Sequence, residues 1–223
     1  MKLHEYPDRE MLGINVANVL AGRLAAALMN SERVTFVVPG GTTPGPIFDD
    51  LCAANLDWDR VDVMLSDERW VPESDPRSNT AFIRQRLLTG PAAAATFLPF
   101  YTGGTDPEDT LSEVEALLIP HLPVSVALLG MGADMHTASL FPRGDALRLA
   151  LDPQAPILVP MRAPGLDCTR VTLSARVLRA ALSLHVVITG DDKRAALERA
   201  LELTPEEAPV AALLSEAEVH WAQ

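Results

Sequence analysis

Cysteine is almost absent: Cys52 and Cys168 are the only two among 223 residues. With no CxxC pair and no Cys/His cluster, a disulfide framework and a structural zinc site are both excluded. By the burial preference of free cysteine, both are expected as small buried thiols. Basic residues are also outnumbered, 18 Lys and Arg against 30 Asp and Glu, for a net charge of −12. Such a chain lacks the cationic surface that displaces counterions from nucleic acid. It can still hold a small anion, since a few backbone amides and two or three cationic side chains suffice for a phosphate. No uninterrupted apolar run approaches the roughly 20 residues needed to cross a bilayer. The opening MKLHEYPDRE lacks the basic-then-apolar layout of a signal peptide. Neither nucleic acid nor a membrane is therefore an expected partner, and the cytoplasm is the expected location. What remains is ordinary for a globular protein, 48% hydrophobic and 22% charged, at a length that suits one α/β domain over residues 1–223.

Short β-branched runs alternate with longer helical patterns. Residues 8–29 carry Leu12, Val16, Val19, Leu24 and Leu28 at helical spacing and predict an amphipathic helix. Val34–Val38, Val61–Leu65, Val124–Leu129 and Leu184–Thr189 are short apolar runs of the kind that form buried parallel strands. Helices are predicted near 44–54, 79–88, 107–119 and 192–203, the third with Asp106 as cap and Pro107 at its first position. The rhythm predicts a Rossmann-like, doubly wound, mainly parallel α/β sheet flanked by helices, with its site in the loops at the carboxyl ends of strands. Residues 150–175 break that rhythm, and PILVP and RVTLS there predict a small extra strand region.

Three loops that follow apolar strands carry chemistry. Pro39-Gly40-Gly41-Thr42-Thr43-Pro44-Gly45 offers a tight turn with exposed N–H groups, two hydroxyls and a helix start, the makings of a phosphate cradle. It lacks the Lys-Ser/Thr ending of a nucleotide P-loop, so ATP is not indicated. Asp67-Glu68-Arg69, continuing through Trp70-Val71-Pro72 to Ser78-Asn79, puts acids and a guanidinium at a strand end. Arg69 can grip a phosphate or carboxylate, while the acids orient it or take substrate hydroxyls. Gly130-Met131-Gly132-Ala133-Asp134-Met135-His136 places an acid two residues before a histidine. A carboxylate bonded to one imidazole nitrogen fixes the tautomer and readies the other nitrogen for proton transfer. Arg170 and Lys193, each at the start of a predicted element, are candidate further cations.

These five segments, in order from about residue 34 to 193, together resemble the 6-phosphogluconolactonase family, which shares a fold group with glucosamine-6-phosphate deaminase. GGTTP resembles that family's GG[ST]TP loop, DERWVP followed by SN its DER segment, and GMGADMHTASLFP its GMGxDGHTASLFP signature. RVTL, TGDDK and the terminal Val219-His220-Trp221 fit as well. Met135 departs from the pattern, standing where the family has Gly, and Ala133 stands where Glu is common. If position 135 needs φ > 0, methionine there strains the loop by about 1 kcal/mol or more. The isomerase/deaminase alternative on the same fold carries DEY and an FNEP-type segment, whereas this chain has DER and SLFPRG with no carboxylate before Asp145. A non-catalytic sugar-phosphate sensor is the other alternative, favoured only by Met135.

The resemblance implies hydrolysis of 6-phospho-D-glucono-1,5-lactone without metal or redox cofactor, by a monomer or homodimer. His136, oriented by Asp134, is expected as general base, with Arg69 or backbone N–H groups stabilising the oxyanion. Gly40, Gly41, Thr42, Thr43, Asp67, Arg170 and Lys193 are expected to bind the substrate, with the loop, Arg170 and Lys193 on its phosphate. Ser139 lacks the GxSxG elbow of a nucleophile and is expected at a helix start.

Overall fold

The computed structural model describes residues 1–223. In chain order the elements are β1 (Lys2–Glu5), α1 (Arg9–Leu28), β2 (Val34–Val38), α2 (Gly45–Leu51), β3 (Val61–Leu65), β4 (Asp67–Arg69), α3 (Asn79–Arg86), β5 (Thr96–Leu98) and α4 (Leu111–Leu118). They continue with β6 (Val126–Gly130), α5 (Leu147–Leu151), β7 (Leu158–Met161), β8 (Arg170–Leu173), α6 (Ala175–Arg179), β9 (Ser183–Thr189), α7 (Asp191–Ala200), α8 (Ala211–Leu214) and β10 (Ala217–Ala222).

Seven strands form one parallel sheet in the order β1-β10-β9-β6-β2-β3-β5. From β2 the chain winds outward to β3 and β5, then returns to β6 and winds the other way. This is the doubly wound arrangement, and β2 beside β6 is the point where winding reverses. All five residues of β2 and of β3 are buried, as strands covered on both faces require. Whereas β2 pairs with β3 over five residues, it pairs with β6 only at Phe36↔Val126 and Val37↔Ala127. The ladder between β2 and β6 thus ends short of their carboxyl ends, where open α/β sheets place their ligand crevice. The extra strand region is also present: β7 and β8 join β4 in a small antiparallel sheet, β4-β8-β7. Ser66 alone separates β3 from β4, so the chain steps from one sheet to the other at the head of the DER segment.

Helix α1 begins where Asp8 accepts a hydrogen bond from the Met11 amide at 2.8 Å, an N-cap. Its Leu12, Val16, Leu20, Leu24 and Leu28 stripe enters the core, with Leu20 in place of the predicted Val19. Across 18 residues the mean hydropathy of α1 is 1.5, enough by length and composition to cross a membrane although polar residues interrupt it. In this fold the stripe is packed under the sheet within a core of 58 buried residues.

Three expectations need correction. The predicted helix 107–119 is a 3-10 turn over Pro107–Asp109 followed by α4, because Thr110 leaves helical geometry at φ −128°. The Asp106 side chain caps nothing there. Neither thiol is fully buried: Cys52 and Cys168 are both half-exposed, since each lies in a segment at the margin of the core rather than within a strand.

Candidate active site

A cleft of about 260 Å³ opens over the β2–β6 crevice. Its walls are the loop after β2, the start of β4, the loop after β6, and the first turn of α7. Of the residues expected from the sequence, Gly40, Gly41, Thr42, Thr43, Asp67, Arg69, His136 and Lys193 all line it. Four segments far apart in the chain meet because each follows a strand of the same sheet edge. A larger hollow of about 500 Å³ beside Arg176 and Arg179 carries none of these residues.

The loop after β2 needs its glycines for two different reasons. Gly41 has φ +96°, a left-handed conformation that side chains resist. Gly40 has no room, since a Cβ there would lie 1.9 Å from Asn79 Oδ1. The helix that follows, α2, has seven residues and no side-chain cap.

Histidine and acid are paired as the spacing suggested. His136 Nδ1 lies 2.5 Å from Asp134 Oδ1, the ring is 32% exposed, and Phe141 packs on it with centroids 4.6 Å apart. Asp134 stands behind His136 rather than on the cleft wall. The hydrogen bond from His136 holds the Asp134 carboxyl below the usual carboxylate range, so it is ionised at neutral pH and keeps the proton on Nδ1. The turn closes on itself through Gly132 N donating to His136 O at 2.9 Å and Thr137 Oγ1 donating to Gly130 O at 2.9 Å. Met135 has φ +66°, so the methionine does occupy a left-handed position. Ala138 and Arg143, at φ +48° and +65°, do so too.

The DER segment is held from below. Glu68, fully buried, accepts from the amides of Arg69, Asn79 and Thr80 and from the hydroxyls of Ser78 and Thr80, at 2.7–3.2 Å. It thereby anchors the start of α3, whose first N–H groups lack intrahelical partners, to β4. So Glu68 braces Arg69 through its backbone and not through its guanidinium. Arg69 Nη1 donates to Arg77 O at 2.5 Å, and the residue lines the cleft. Asp67, 8% exposed, accepts from Ser66 Oγ at 2.9 Å and Ser139 Oγ at 2.6 Å.

Arg170 is not brought to the cleft wall. It lies directly across the β4–β8 ladder from Arg69, its side chain 12% exposed and its one carboxylate contact Asp167 at 3.3 Å. Burial, and then the Arg69 charge, push its pKa down. Ser139 is not at a helix start either. It sits in a tight turn bracketed by the Thr137↔Leu140 bridge, 1% exposed and off the cleft. Asn79 lines the cleft and was not expected there. It is 3% exposed and donates to the Asp67 carbonyl at 2.9 Å; the Ser78-Asn79 pair that follows DERWVP was the available signal. No cluster of three or more His, Cys, Asp and Glu side chains is placed to hold a metal ion.

Fold and cleft together define a doubly wound α/β protein with an acid-paired histidine facing an anion-receptive loop and a lysine. The sequence model of glucosamine-6-phosphate isomerases/6-phosphogluconolactonase matches residues 7–221. The chain belongs to that family. It is 42% identical over 214 residues to a 6-phosphogluconolactonase of Pseudomonas aeruginosa, covering 92% of this chain and 88% of the relative. A 6-phosphogluconolactonase of Mesorhizobium japonicum is 40% identical over 226 residues, covering 97% and 93%. The crystal structure of a 6-phosphogluconolactonase from Shewanella baltica superposes with a TM-score of 0.96 at 28% identity, covering 100% and 98%. Within the family, the similarity therefore falls on the lactone-hydrolase side.

Proposed function

We propose that this protein hydrolyses 6-phospho-D-glucono-1,5-lactone to 6-phospho-D-gluconate, the lactone-opening step of the oxidative pentose phosphate pathway. The observation that carries this reading is the Asp134–His136 pair, at 2.5 Å, on a cleft that also holds the Gly41-Thr42-Thr43 loop and Lys193. The names of the relatives supply the substrate, and the geometry supplies a route.

The phosphate lies on the loop after β2, with Lys193 as its cationic partner. Arg170, off the cleft wall, is given no direct contact. Asp67 accepts from sugar hydroxyls. His136, its Nδ1–H directed at Asp134, takes a proton from water at Nε2 while the water oxygen bonds to the lactone carbonyl carbon. The tetrahedral intermediate carries its negative charge on the former carbonyl oxygen, near the Arg69 guanidinium. As the carbon–ring-oxygen bond breaks, His136 returns the proton to that oxygen, leaving the open-chain acid. An ester of this kind needs no acyl-enzyme, and buried Ser139 is out of reach to form one. No step uses a metal or redox cofactor, so turnover is expected to survive exhaustive EDTA treatment.

The catalytic unit is the whole of residues 1–223, since the cleft draws on residues 39 to 193 and the family match on 7 to 221. The cytoplasm is the proposed place of action, because phosphorylated sugars stay where they are made. The test is lactone decay, with substrate generated in situ by glucose-6-phosphate dehydrogenase. Acceleration over the spontaneous rate is expected, and folded protein that gives none refutes the reading.

A further inference from the structure

Asp67 is the one carboxylate on the cleft wall. It is 8% exposed, yet no Arg, Lys or His nitrogen lies within salt-bridge distance of it: its partners are neutral hydroxyls, Ser66 Oγ on Oδ1 and Ser139 Oγ on Oδ2. A carboxylate offers about four lone-pair sites. Two are taken by serine hydroxyls, one on each oxygen, so the plane of the group is fixed and the remaining sites are left for donors in the cleft.

Ser139 is itself pinned. Its backbone N–H donates to Thr172 Oγ1 at 3.2 Å, and that hydroxyl donates to Leu173 O at 3.1 Å. The residue therefore links the His136 loop and β8 to Asp67 on β4. With 1% exposure and no place on the cleft wall, its hydroxyl reaches the substrate only through Asp67.

We infer that Ser139 is a positioning residue, which with Ser66 holds Asp67 as a fixed acceptor for the hydroxyls of the phosphorylated sugar. The identity of that ligand rests on the lactonase reading above. The effect falls on binding rather than on proton transfer, because the His136 turn is closed by its own bonds, Gly132 N to His136 O and Thr137 Oγ1 to Gly130 O. Ser139 contributes to neither.

The experiment is a double-mutant cycle of Ser139→Ala with Asp67→Asn. It is read as the Kd of 6-phosphogluconate by calorimetry and as KM and kcat for the lactone. Ser139→Ala removes a hydrogen bond to a charged group, so Kd and KM are expected to rise about tenfold, with kcat within about threefold. In the Asp67→Asn background the same substitution is expected to add less than about twofold. Ser66→Ala, acting on the other oxygen, should raise Kd in the same way and supplies the reading if Ser139→Ala does not fold. Wild-type Kd in folded Ser139→Ala overturns the inference. So does a fall in kcat at unchanged KM, or an undiminished effect in the Asp67→Asn background. A wild type that binds 6-phosphogluconate but leaves the lactone intact contradicts the lactonase reading alone, because the binding cycle still reports on Ser139.

Discussion

Gly132→Ala is a small change that should separate catalysis from folding. The backbone at Gly132 is outside the left-handed region, so alanine meets no conformational barrier there. Its Cβ, however, would lie 2.2 Å from His136 Cε1 and Nδ1 and 2.5 Å from Asp134 Oδ1. Ordinary contact begins at 3.4 Å, so the imidazole must retreat by about 1.2 Å. The ring is at the end of a partly exposed side chain and can rotate away at little cost to the fold. What it gives up is the 2.5 Å bond to Asp134, and with it the tautomer and the aim of Nε2. A displacement near 1 Å at a reacting group costs about 10²-fold. Turnover should therefore fall about 10²-fold while unfolding free energy changes by less than about 1 kcal/mol. The assay is lactone decay beside denaturant unfolding. Gly22→Ala, where a Cβ meets nothing within 4 Å, is the control and should turn over normally. A Gly132→Ala protein with wild-type turnover would refute the proposed role of the Asp134–His136 pair.

Three further outcomes are expected. Because Met135 sits at φ +66°, Met135→Gly and Met135→Ala lose the same side-chain packing but only glycine relieves the strain; the glycine variant should be the more stable by about 1 kcal/mol in denaturant unfolding, and equal stabilities would remove the strain. Burial holds His185 near pKa 4 and His220 near 3, so below pH 6.5 the unfolded chain binds more protons than the folded one. Stability should fall as pH drops from about 6.5 toward 4, by up to about 1.4 kcal/mol per pH unit for each ring, and His220→Gln should flatten that slope in unfolding curves taken at pH 7 and pH 5. Lys193→Ala should weaken 6-phosphogluconate binding more than Arg170→Ala does, since only Lys193 lines the cleft; calorimetry giving the reverse order would move the phosphate toward the β4–β8 ladder.

Much of this architecture was open to reading in one dimension because its signals are local. Strands β2 and β3 begin and end where two mainly apolar runs begin and end, each broken by a single polar residue, Thr35 and Asp62, and the loop after each carries the site by virtue of the parallel sheet. The Asp134–His136 pair is two residues apart and needs no tertiary information. Contacts between distant segments behaved differently. Glu68 anchors α3 and Ser139 donates to Asp67 across 72 residues, while Arg170 is set across from Arg69 by the small β4-β8-β7 sheet. Its pairing leaves no trace in spacing or periodicity. The break at Thr110 and the marginal burial of the two thiols are likewise settled by packing rather than by residue preference.

The central claim is that His136 moves the proton. Its most direct test is lactone turnover by His136→Ala beside wild type, with 6-phosphogluconate affinity measured on both. A fall of about 10²–10⁴ in kcat, the range for general acid–base catalysis, with affinity nearly unchanged, is the predicted result. Turnover near the wild-type rate in a folded His136→Ala protein would contradict it and return the search for the base to the other groups on the cleft wall.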